Sequence, residues 1–160
     1  MQTKPGPPPD PDETLAALRA DIGVATPWRR FEVTAADAAR FRSAVDPAAR
    51  GAGSGSVGPE PPPMFFSPDP IILSQRLGLL RHRPYPNTLD GGTRWQWLAP
   101  LRVGDTVQLR AEVVDVDEKV GSKQTGRMFL TTVLVTCAAL NGEAIARCWG
   151  TSISYEGVAS

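Results

Sequence analysis

The chain has 160 residues, 41% of them hydrophobic, with 17 basic and 17 acidic side chains and a single histidine. That length supports one domain with a proper core and is too short for two comfortable ones. The balanced charge argues against a nucleic-acid or anionic-membrane partner held by long-range attraction, and it leaves little repulsion to oppose permanent association.

No apolar run reaches the about 20 residues that cross a bilayer. The opening Met-Gln-Thr-Lys-Pro-Gly-Pro-Pro-Pro lacks the apolar stretch of a secretory leader, so a cytosolic protein is expected. Residues 1–12 are Pro-rich and read as an extended or disordered tail, with the domain spanning 13–156.

Glu13 to Ala20 carries Leu15 and Leu18 on one helical face, with Gly23 as the expected stop. Arg30 to Val33 reads as a short strand. Thr34-Ala35-Ala36-Asp37 then opens a helix to about Val45, because Thr34 can accept from a free amide and Asp37 sits well in the first turn. Ala38, Phe41 and Val45 form its apolar stripe, and Pro47 stops it. Ala48 to Pro63 is rich in Ala, Gly, Ser and Pro and reads as a long surface loop.

Asp69-Pro70 is a second helix start, with Asp as cap and Pro where its missing amide costs nothing. Ile71 to Leu80 follows, apolar around much of its circumference through Ile72, Leu73, Leu77, Leu79 and Leu80, which predicts a buried helix. Arg81 to Asp90 is a connector broken by Pro84 and Pro86. Strands are expected at Thr93 to Leu98, Thr106 to Val116, Arg127 to Leu140 and Ala144 to Tyr155. In the second of these, Val107, Leu109, Ala111 and Val113 share one face. Lys119 to Thr125 is a polar loop, and Asn141-Gly142 is a strong hairpin signal for a type I′ turn. A buried helix followed by long antiparallel strands predicts an α+β domain with one sheet wrapped around that helix.

Trp95 and Trp97 alternate onto one strand face opposite Arg94 and Gln96, a pattern suited to core or dimer contact. Cys137 and Cys148 fall at inner-strand positions and read as small buried hydrophobes rather than a disulfide. With two strand cysteines and one histidine, metal-ligand spacings are absent. No dinucleotide or phosphate-loop fingerprint occurs either, since Gly51-Ala-Gly-Ser-Gly lacks the required strand and helix around it.

Three segments carry a family resemblance. They are Phe31-Glu-Val-Thr-Ala-Ala-Asp with its helix ending near Asp46-Pro47; Pro61-Pro62-Pro63-Met64-Phe65 ahead of the central helix; and Leu89-Asp90-Gly91-Gly92 with Pro100-Leu101-Arg102-Val103-Gly104-Asp105 and Val114-Asp115-Val116-Asp117-Glu118-Lys119. Together they resemble the N-terminal, FAS1-like dehydratase-type hotdog domain of the MaoC-like (R)-specific enoyl thioester hydratases, over roughly Leu15 to Tyr155. The resemblance implies a single hotdog fold and an acyl-CoA or acyl-carrier thioester as substrate, with no cofactor and no metal. It also implies a homodimer, or a heterodimer with a second hotdog subunit.

Active relatives use an Asp and a His separated by four residues, which hold one water and move its protons. Asp46 matches that Asp. Gly51 stands where the His belongs, and the only histidine, His82, lies elsewhere between two arginines. Asp before Pro at a helix end is also ordinary turn chemistry. The resemblance therefore implies the non-catalytic acyl-binding half of an enoyl-CoA hydratase or 3-hydroxyacyl-CoA dehydratase. The alternatives are a hotdog thioesterase using Asp46 or Asp69 beside helix amides, and a non-enzymatic acyl-thioester binding module.

For substrate contacts, Met64, Phe65 and Phe66 would line a tunnel beside the central helix. Arg76, Arg81 and Arg83 could meet coenzyme A phosphates, although a solvated face with favourable cations at a helix C-terminus is the preferred reading.

Overall fold

The computed structural model describes residues 10–45, 69–80, 85 and 87–157. Asp46, Gly51, Met64, Phe65, Phe66, Arg81, His82 and Arg83 lie outside the described residues, as do the expected loop at Ala48 to Pro63 and the first nine residues of the tail.

Helix α1 (Pro11–Ala20) starts two residues before the apolar pattern begins, because Asp10 caps it: its carboxylate accepts from the amides of Asp12 and Glu13. Leu15 and Leu18 face the core as expected. The C-cap is Asp21, not Gly23. Gly23 has a positive φ and donates its N–H to the Val113 carbonyl at 2.8 Å, so it docks the chain onto a strand. Strand β1 (Arg29–Glu32) follows, and then helix α2 (Ala35–Val45). The Thr34 hydroxyl accepts from the Asp37 amide at 3.1 Å, the cap the sequence predicts, and donates to the Asp37 carboxylate at 2.7 Å. Ala38 is fully buried and Phe41 half-buried.

Helix α3 is shorter than its apolar pattern predicts, Pro70–Arg76 rather than Ile71 to Leu80. Leu77 caps it, and Gly78 and Leu80 both have positive φ, so the chain turns out of the helix there. Leu79 and Leu80 still reach the core, but Ile72 is 49% exposed, so α3 is buried on one side only. The cap itself is as expected: the Asp69 carboxylate accepts from the amides of Ile71 and Ile72 at 2.8 and 3.1 Å, with Pro70 in the first turn.

Strand β2 (Asn87–Trp97) begins six residues before the expected Thr93 and takes in the last four residues of the anticipated connector. Leu89 and Asp90 pair with β5, and a register shift between Asp90 and Thr93 lets Gly91 and Gly92 pass without breaking the strand. Strands β3 (Thr106–Val120), β4 (Arg127–Ala139) and β5 (Ala144–Tyr155) complete an antiparallel sheet of order β1-β3-β4-β5-β2. β3 runs four residues past Val116 because a shift between Val113 and Asp115 keeps its later residues in register with β4.

The hairpin joining β4 to β5 is not type I′. The Gly142 amide donates to the Ala139 carbonyl at 2.9 Å, the Ala139 amide to the Glu143 carbonyl at 2.8 Å, and only Gly142 of the pair has a positive φ. This is a three-residue loop in which glycine follows an ordinary turn.

One face of the sheet builds the core. Val107, Ala111, Val113, Phe129, Val133, Ala146 and Cys148 are completely buried. Each large apolar side chain so enclosed contributes about 1.5–3 kcal/mol. α3 packs on this face: a Cβ added at Gly150 would stand 2.2 Å from Pro70 Cγ, so glycine is what allows the helix start to touch β5. The segment before β1 covers the far edge of β3, with the Thr26 amide donating to the Ala111 carbonyl at 2.8 Å and the Thr26 hydroxyl accepting from the Ala111 amide at 3.0 Å. Among the described residues, β2 is left as the sheet's open edge.

Candidate functional site

The start of α3, the first half of β2 and the end of β5 enclose a cleft of about 240 Å³, lined by Asp69, Ile71, Ile72, Gln75, Thr88, Leu89, Asp90 and Ser152. Its position follows from three local choices. Asp69-Pro70 fixes where the helix begins, Gly150 lets that start sit against β5, and the Gly91-Gly92 irregularity carries β2 past it.

The inner face changes character at this end of the sheet. Core positions along β5 run Ala146, Cys148, Gly150 and then Ser152 and Ser154; on β4, Thr131 follows Val133. Thr131 and Ser154 are buried, and on α3 the fully buried Ser74 donates to the Pro70 carbonyl at 2.6 Å. The cleft is thus bordered by hydroxyls rather than by the aliphatic side chains that fill the rest of the core.

Of the sequence-derived candidates, the described residues include Asp69 and Arg76. Asp69 lies in the cleft wall, but its carboxylate is already engaged with the amides of Ile71 and Ile72. Those are the amides an oxyanion would need. Arg76 is exposed at the last turn of α3 and is not among the lining residues. Gln75, Thr88, Asp90 and Ser152 were not singled out from sequence. The Ser152-x-Ser154 spacing, which puts two hydroxyls on the inner face of an otherwise apolar strand, was the available signal. Asp90 accepts the Gly92 amide at 2.8 Å and so holds the β2 irregularity in shape.

The cysteines are free and buried as expected. Burial pushes both thiols up to about 12, and for Cys148 the nearby Asp69 charge adds to the effect. Neither is a nucleophile at neutral pH, since the thiolate is the reactive form. Among the described residues no group of three or more His, Cys, Asp or Glu side chains is arranged to hold a metal ion, and no described helix is long and apolar enough to cross a membrane.

Trp95 and Trp97 share a face, stacked at 5.6 Å, with Trp95 against the core and Trp97 40% exposed. Arg94 lies on the other face over the Trp149 ring at 4.2 Å.

A model of the FAS1-like dehydratase domain region matches residues 20–148. No curated protein matches. Among solved structures, a MaoC-like dehydratase is similar at a TM-score of 0.62 and 19% identity, over 87% of this chain and 43% of that one. The ChsH1-ChsH2 complex of Mycobacterium tuberculosis is similar at 0.56 and 20%, over 94% and 93%. The C-terminally truncated HadBC (3R-hydroxyacyl-ACP dehydratase) complex of the same organism is similar at 0.55 and 21%, over 79% and 90%. The fold is the α+β hotdog that the sequence resemblance implies. The chain belongs to the family of FAS1-like dehydratase domains.

Proposed function

We propose that this chain is the non-catalytic, acyl-binding hotdog half of an enoyl-thioester hydratase or 3-hydroxyacyl-thioester dehydratase, completed by a second hotdog subunit that carries the Asp and His pair. The observation that carries the reading is chemical. A chain of this family has Gly51 where the motif histidine belongs, and its single histidine is His82. Taking one proton from water as its oxygen bonds to the β-carbon, and giving one to the α-carbon, calls for a base and an acid, and Asp46 supplies at most one.

Two further observations support a partner. β2 ends the sheet with an eleven-residue edge, the kind of edge that sheets cover or pair. Two of the similar solved structures are complexes of two named chains. In this reading Met64, Phe65, Phe66 and the cleft beside α3 receive the acyl chain, while Arg76, Arg81 and Arg83 meet the phosphates of coenzyme A or of a carrier's prosthetic arm.

The thioesterase alternative is disfavoured by Asp69, whose carboxylate and the α3 amides satisfy one another. The pairing is tested by co-expressing the chain with a hotdog protein bearing the intact motif. A stable complex that hydrates crotonyl-CoA, with neither activity nor acyl-CoA hydrolysis in this chain alone, is the expected result. Thioester hydrolysis by the isolated chain, lost in Asp46→Asn, overturns it.

A further inference from the structure

The face of the sheet turned away from α3 breaks the rule that a solvated antiparallel face is polar. Cross-strand pairs place Leu134 beside Trp149, Thr132 beside Thr151, Leu130 beside Ile153 and Met128 beside Tyr155 in four successive rows on β4 and β5. None of these eight residues is charged, and all are half-buried. The Thr132 and Thr151 hydroxyls are 3.0 Å apart and so satisfy each other. Within these four rows charge is confined to the flanking strands, with Glu112, Asp115, Asp117 and Lys119 on β3 and Arg94 on β2; the next row, Arg110, Thr136 and Arg147, ends the apolar patch.

We propose that this outer face docks a second copy of the same chain, around a two-fold axis running along the strands between β4 and β5. Under that rotation the register makes the central apolar pairs of β4 and β5 meet one another, and in one row it also makes the flanking charges complementary. One row reads Glu112, Leu134, Trp149, Arg94 across β3, β4, β5 and β2. Within one chain Arg94 lies over the Trp149 ring at 4.2 Å and Glu112 stands 3.9 Å from Arg110; turned over about the axis, the row sets Leu134 beside Trp149 of the partner subunit and Glu112 against the partner's Arg94, with the reciprocal contacts following by symmetry. The next apolar rows place Leu130 on the partner's Ile153 and Met128 on the partner's Tyr155. Strands of the two copies then run nearly aligned, a preferred geometry of stacked sheets.

Four strands at about 4.8 Å spacing and seven to nine residues of each give on the order of 500 Å² per copy. That reaches the about 1,000 Å² in total that a specific interface needs. The contact uses the sheet's face and is independent of any pairing through the β2 edge.

Sedimentation velocity on the purified chain and its variants tests this. Leu134→Glu with Ile153→Glu is expected to halve the assembled mass, from two copies to one, or from four to two where the β2 edges also pair. Glu112→Arg and Arg94→Glu should each weaken association about tenfold, about 1.4 kcal/mol, and the two together should restore it. A wild-type chain that is monomeric at every concentration, a mass unchanged in the Leu134/Ile153 variant, or charge reversals that do not rescue each other would overturn the proposal. So would loss of thermal stability in the Leu134/Ile153 variant of an already monomeric chain, which would mean that a segment of the same chain covers the face.

Discussion

Gly150 decides how the cleft is made. Any side chain there drives a carbon to 2.2 Å from the Pro70 ring, and a proline in the first turn of a capped helix has little room to retreat. Gly150→Ala is expected to cost about 1–3 kcal/mol through overpacking, lowering Tm by about 2–4 °C for each kcal/mol in a domain of this size. Calorimetry of the variant checks the value. An unchanged Tm would mean that α3 does not sit against β5. The two cysteines give a second residue-scale expectation. Each thiol ionises near 9.0 in an exposed setting and near 12 in the fold. The unfolded state therefore loses its protons first, so stability is insensitive to the thiols below pH 9 and falls as pH rises from 9 to 12. Denaturant melts across that window should show the decline, and Cys137→Ala with Cys148→Ala should flatten it. Thiol reagents at pH 8 should modify neither cysteine until the chain unfolds.

At the scale of elements, the β4–β5 hairpin and α3 separate what local sequence states from what tertiary packing decides. Asn141-Gly142 correctly marks the turn, yet the loop takes three residues because only Gly142 needs the left-handed region. A Cβ at Gly142 meets nothing within 4 Å. Gly142→Ala therefore tests backbone strain alone, with an expected loss of about 1–2 kcal/mol measurable by chemical denaturation; a neutral substitution would show that the loop reorganises. The strands were legible because their apolar residues alternate: β5 runs from Ala144 to Tyr155 as its pattern predicts, and β3 buries the alternate residues it should. α3 was overextended because Leu77, Leu79 and Leu80 are apolar for the sake of the core rather than of a helix. The sequence pattern makes β2 too short because Asp90-Gly91-Gly92 resembles a turn, whereas pairing with β5 on both sides carries the strand through it. The cleft's polar lining was the least legible part. Thr88, Asp90 and Ser152 come together only through the β2–β5 pairing, which no local pattern specifies. By contrast, the ion pair of Arg127 with the exposed Asp12 of α1 should matter little, whereas its pair with Glu118 of β3 is half-buried on both sides. Exposed ion pairs contribute about 0–1 kcal/mol.

For the molecule as a whole, the sheet order, the β2 edge left open among the described residues and the family match support one account. In the proposed account this domain supplies a wall and a pocket, and a second subunit supplies the chemistry. The proposal is sharp because it names a specific missing group: it takes Gly51 to stand where the motif imidazole belongs, leaving one of the two proton-transfer groups to the partner. The most direct measurement is the hydration of crotonyl-CoA, followed by loss of the conjugated enoyl thioester absorbance, for the purified chain alone and for its complex with a hotdog protein carrying the Asp and His pair. Turnover only in the complex, abolished by replacing the partner's histidine, is the predicted result. Enzyme-like turnover by this chain alone would contradict it.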